Sequence, residues 1–67
     1  DLMVFGELGL SGEMRPVPSG QERLKEAAKH GFTRAIVPKA NAPKESPKGM
    51  QVIGVTRLDE ALTAIFD

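Results

Sequence analysis

The chain has 67 residues, with nine Lys/Arg, nine Asp/Glu, one His, no Cys and 40% apolar side chains. A chain this short buries only about 60% of the surface that its unfolded form exposes, so its stability margin is thin, and the absence of Cys excludes both a disulfide framework and a thiolate zinc site. No apolar run approaches the roughly 20 residues of a membrane-spanning helix, and the first seven residues lack the basic start of a signal peptide, so the expected setting is a reducing cytoplasm away from membranes.

Leu2-Met3-Val4-Phe5 is an apolar run rich in strand-forming side chains, and it passes into a glycine-punctuated stretch ending at Val17. Strand, turn, strand is the simplest reading. Ser11-Gly12 is the favoured turn, and Pro16 belongs near a strand end or edge. Ser19-Gly20-Gln21-Glu22 has the S-x-x-E spacing of a capping box, which predicts a helix from Ser19 with Leu24, Ala27, Ala28 and Gly31 on its buried stripe. Gly31 suits the left-handed position beyond the helix, and Lys29 and His30 compensate the dipole in its last turn. Arg34-Ala35-Ile36-Val37 reads as a short buried strand ended by Pro38, and Gln51 to Val55 as another. The twelve residues from Lys39 to Met50 are long enough for a parallel crossover, the alternative being a hairpin. A second helix closes the chain, with Thr56-x-x-Asp59 as its cap, Leu58, Ala61, Leu62 and Ile65 as its apolar stripe, and Asp59 and Glu60 at the positive end of its dipole. The order of elements gives α/β or α+β architecture in one domain over residues 1–67, with no internal repeat or linker.

The zero net charge hides a segregation. Between Met14 and Lys48 stand eight basic residues, Arg15, Arg23, Lys25, Lys29, Arg34, Lys39, Lys44 and Lys48, against three acidic ones, Glu22, Glu26 and Glu45, an excess of five. Both ends of the chain are acidic. The middle could meet a polyanion through phosphate contacts if the fold gathers these cations on one face; otherwise they form an ordinary solvated surface. With no Tyr or Trp to stack on bases, such contacts would be independent of base sequence.

Other chemistries lack their residues. Gly6-x-x-Gly9-x-x-Gly12 carries neither the Lys-Ser/Thr of a phosphate loop nor a helix opening at its glycines, so it reads as turn glycines. His30 is the only histidine, which leaves a zinc site and a Ser-His-Asp triad without members. No catalytic or metal-binding residue is assigned.

The run from Phe5 to Leu24, with its GE-x-GLSGE-x-RPVPSG-x-ER pattern, continues through Glu26 to Phe32 and Arg34 to Pro38. It closely resembles the C-terminal domain of the bacterial DNA-repair family RadA, also called Sms. Asn41-Ala42-Pro43 and Val52-Ile53-Gly54-Val55 fit as well, so the likeness covers nearly the whole chain. That domain is similar to the peptidase domain of Lon proteases, through Gly6-Glu7, Leu10, Gly12, Pro16 and Gly31 to Pro38, and the resemblance implies part of a Lon-peptidase-like fold related to a ribosomal-protein α/β domain. Counting from Pro16, the position of the Lon catalytic Lys is taken by Arg23, whose guanidinium stays charged and cannot act as a base, and the serine-bearing segment lies upstream of this chain. What the resemblance implies is a non-catalytic scaffold and DNA-contacting domain, belonging to a DNA-dependent ATPase that acts in repair and recombination. ATP with Mg and a zinc ion would belong to the remainder of that parent, and its oligomer would be a hexameric ring. A self-association module built on Leu2, Val4 and Phe5, or a Ser-Lys peptidase fragment, are the alternatives.

Overall fold

The computed structural model describes residues 1–66 as β1 (Leu2–Val4), β2 (Glu7–Leu8), β3 (Met14–Arg15), α1 (Gly20–Lys29), β4 (Arg34–Pro38), a 3-10 turn (Lys39–Asn41), β5 (Gln51–Val55) and α2 (Leu58–Phe66). The domain is a small mixed α/β unit. A parallel three-stranded sheet has the order β1-β4-β5, and β2 and β3 form a separate antiparallel ribbon.

The central strand β4 organises the packing. Its successive side chains point to opposite faces, and both faces are covered, so Ala35, Ile36, Val37 and Pro38 are all buried. On one side Ala35 and Val37 meet Leu24 and Ala27 of α1 together with Met50; on the other Ile36 meets Val55 and Ala61 of α2. A run of consecutive apolar residues, rather than an alternating one, is the mark of a strand sandwiched in this way. Of the two connections the loop allowed, the structure takes the parallel crossover from β4 to β5, with Arg34 opposite Gln51 and Pro38 opposite Val55.

The predicted first hairpin is corrected. Leu2–Val4 does not pair with the segment before Val17. It lies parallel to β4, with Leu2 opposite Arg34 and Val4 opposite Ile36, and the hairpin is the shorter ribbon in which Glu7 faces Arg15 and Leu8 faces Met14. Its turn is closed by Gly12 N–H donating to the Gly9 carbonyl (3.1 Å), so Ser11-Gly12 does lie in the turn. Burying Met3 against α1 and Leu2 against the opposite layer outweighs local pairing.

The expected capping box at α1 is also absent. Ser19 adopts a left-handed conformation (φ 60°, ψ 33°) and its hydroxyl makes no capping bond. The far end behaves as predicted: Gly31 has φ +87°, its N–H donates to the Ala28 carbonyl and that of Phe32 to Ala27, the paired bonds of a Schellman motif. At α2 the cap is Glu60 rather than Asp59. One oxygen of its carboxylate accepts from the Thr56 hydroxyl (2.6 Å), the Thr56 N–H (2.8 Å) and the Arg57 N–H (3.0 Å). The buried stripe of α2 is shifted as well: Ala61, Ala64 and Ile65 face the sheet, while Leu58 and Leu62 are 39% and 45% exposed. Small side chains let the helix settle close to the sheet and leave the two leucines on its flank.

Candidate nucleic-acid interface

The eight cations singled out in the sequence do not share one face. The four arginines of the chain are tied into the fold. Arg15 pairs with Glu13 across 3.2 Å. Arg34 is half-buried and donates from Nη2 to the Ala64 carbonyl in the last turn of α2 (3.0 Å). Arg57, the cation outside the basic stretch, donates to the Ser11 carbonyl (2.9 Å) and stands 3.7 Å from Asp59. The guanidinium of Arg23 lies over the Phe5 ring, 6.0 Å from its centroid.

The lysines differ. Among the described residues none of the five donates a hydrogen bond or joins an ion pair, and all five are exposed. Lys25 and Lys29 are four apart on α1 and share a flank, whereas Arg23 and Lys25, two apart, point about 200° from one another around the helix. The surroundings agree. Arg23 borders a groove floored by Met3, Ala27 and Phe32, whereas Lys25 borders one walled by Pro43 and Pro47. Lys44 and Lys48 lie on that same proline-bearing loop. Lys39 stands apart, near Glu60 at the α2 end, where its charge helps to lower the Glu60 pKa.

The groove between α1 and the loop has a volume of about 160 Å³ and is lined by Gln21, Leu24, Lys25, Pro43, Glu45 and Pro47. Its position depends on a clamp that the sequence did not disclose. The Asn41 carboxamide accepts from the Val17 N–H (2.8 Å) and donates to the Val17 carbonyl (3.1 Å), as a neighbouring strand would. Gly20 packs so closely beneath it that a Cβ there would stand 2.6 Å from Asn41 Nδ2. An Asn ending a 3-10 turn just after a strand carries no local signal of such a partner 24 residues away.

Two carboxylates hold the opposite end together. The Glu13 carboxyl is kept below its usual range by its own backbone N–H and then by the Arg15 guanidinium, and that of Glu60 by the Thr56 hydroxyl and N–H. With the Leu58 N–H donating to Gly12 (2.8 Å) and Met14 N–H to Thr56 (2.8 Å), these contacts fasten the hairpin to the start of α2.

Comparison with known proteins gives two results. Residues 1–41 match the family model described as subunit ChlI of Mg-chelatase. The whole chain is 76% identical to the DNA repair protein RadA of Pseudomonas aeruginosa and 69% identical to that of Escherichia coli, covering 15% and 14% of those proteins. The Bacillus subtilis DNA repair protein RadA is 53% identical over 59 residues, 87% of this chain and 13% of its own length. The chain therefore spans about one seventh of the length of these curated relatives.

Proposed function

Because the chain belongs to the family described as subunit ChlI of Mg-chelatase and is similar over its full length to DNA repair proteins named RadA, we propose that it is a non-catalytic, Lon-like scaffold and DNA-contacting part of an ATP-dependent DNA-repair protein. The observation that carries this reading is the full-length identity of 76% to one such relative. The resemblance further suggests the C-terminal Lon-like domain of a parent whose ATP, Mg and zinc sites lie elsewhere and whose subunits form a hexameric ring.

Two structural features support the division of labour. Lys25, Lys29, Lys44 and Lys48 are free to neutralise phosphates, a contact that positions a polyanion without reading its bases. A dyad base needs a primary amine that can lose its proton, and no side chain from Gly20 to Arg23 offers one; a guanidinium, as Arg23 carries, cannot serve as that base.

Fluorescence anisotropy of the intact protein with labelled DNA across a salt series tests the reading. Changing Lys25, Lys29, Lys44 and Lys48 together to Gln removes four cations, so the slope of log affinity against log salt falls in magnitude by about 3 to 4. An unchanged slope overturns the assignment. Casein should remain intact in the same preparation, and its cleavage would revive the peptidase reading.

A second reading has its own observation. Leu58, Leu62 and Phe66 recur at four-residue spacing along α2 and are 39%, 45% and 81% exposed, an apolar stripe suited to protein contact. Concentration-dependent sedimentation without DNA binding favours self-association as the main role.

A further inference from the structure

We propose that the groove between α1 and the proline loop receives one unstacked base of single-stranded DNA while the flanking phosphates lie against Lys25, Lys44 and Lys48; this rests on the DNA-contacting reading above. The groove is apolar where α1 meets the loop, through Leu24, Pro43 and Pro47, and its polar groups, Gln21 and Glu45, are a carboxamide and a carboxylate. Its volume of about 160 Å³ is close to that of an apolar protein cavity of about 150 Å³ that admits a benzene ring, which suits a single ring system.

Charge selects the occupant. An apolar slot alone would accept many side chains, but Lys25 stands at its edge and Lys44 and Lys48 lie on the loop that walls it, all without partners of their own among the described residues. A free apolar side chain brings no charge to answer these ammonium groups, whereas a nucleotide brings a flat apolar face together with anionic oxygens on either side. In a duplex the base is stacked and its faces are hidden, so this geometry specifies single strands. Gln21 and Glu45 can meet the polar edge of the base, the carboxylate accepting from the ring N3–H of a thymine and the carboxamide donating to a ring carbonyl. The prolines take the place of the aromatic platform that the composition lacks, since their rings present a rigid apolar wall at little cost in conformational entropy.

The test uses the intact protein and two labelled probes of one length, oligothymidylate and a wholly abasic strand. Oligothymidylate is expected to bind about tenfold more tightly than the abasic strand, the size of one stacked base. Replacing both prolines, Pro43→Ser with Pro47→Ser, should erase that difference while leaving the salt slope unaltered. Equal affinity of the unsubstituted protein for oligothymidylate and the abasic strand overturns the slot but not the phosphate contacts. A difference that survives the proline substitutions overturns it too, because the base is then held elsewhere. Failure of the underlying DNA reading is separate and visible: the four-lysine variant would keep its full salt slope.

Discussion

Asn41 and Gly31 show two ways in which a single residue holds this fold. The Asn41 side chain satisfies both backbone groups of Val17, and neither has another partner in so tight a place. Asn41→Ala strands a half-buried donor and acceptor and should lower unfolding stability by about 1–3 kcal/mol in urea titration, with Asn41→Asp intermediate because it retains the acceptor only. Gly31 is a purely conformational case. A Cβ added there would meet nothing within 4 Å, so Gly31→Ala carries only the strain of φ +87°, about 1 kcal/mol, and Gly31→Asn should recover part of it. The sequence identified Gly31 because a helix ending is a local event. It said nothing of Asn41, whose partner is 24 residues away.

At the scale of an element, the two helices were found for different reasons. The stripe of Leu24, Ala27 and Ala28 predicts α1, yet the capping box that marks its start does not form, because Pro18 and the Asn41 clamp fix the entering chain with Ser19 in a left-handed turn. For α2 the cap exists but uses Glu60, one residue beyond the predicted Asp59. Its carboxyl has a lowered pKa in the folded protein, so its contribution is present above the ordinary glutamate range and is lost as pH falls through the folded value. Glu13 behaves in the same direction. Thermal melts should therefore show Tm falling below about pH 4.5, and Glu60→Gln should lower Tm at pH 7 while flattening the acid limb of the profile.

The whole molecule has two unlike sides. The free lysines of α1 and the loop occupy one layer. The exposed leucines of α2 lie on the other side of the sheet. Solvent-facing Leu62 contributes little to the core, so Leu62→Lys should shift stability by less than about 0.5 kcal/mol while reducing any concentration-dependent association. Leu24, 1% exposed and central to the α1 layer, is the contrast: Leu24→Ala should cost about 2–5 kcal/mol, enough to unfold a domain with so narrow a margin, as a urea midpoint would record. Among the described residues no helix is long and apolar enough to cross a membrane.

The sequence by itself determined the mixed α/β class, both helices and the strands β4 and β5, because periodicity and chain stops are properties of neighbouring residues; loop length allowed the parallel crossover between the strands without deciding it. It also marked the basic middle of the chain. Only the tertiary structure decided that Leu2–Val4 joins β4 across 32 residues, that the arginines are spent on carbonyls, carboxylates and a ring, and that a helix bearing Lys25 and a distant proline loop wall one groove. The physical reason is that hydrogen-bond register and side-chain partnership depend on which surfaces exclude water together, and that is set by the packing of all the elements at once.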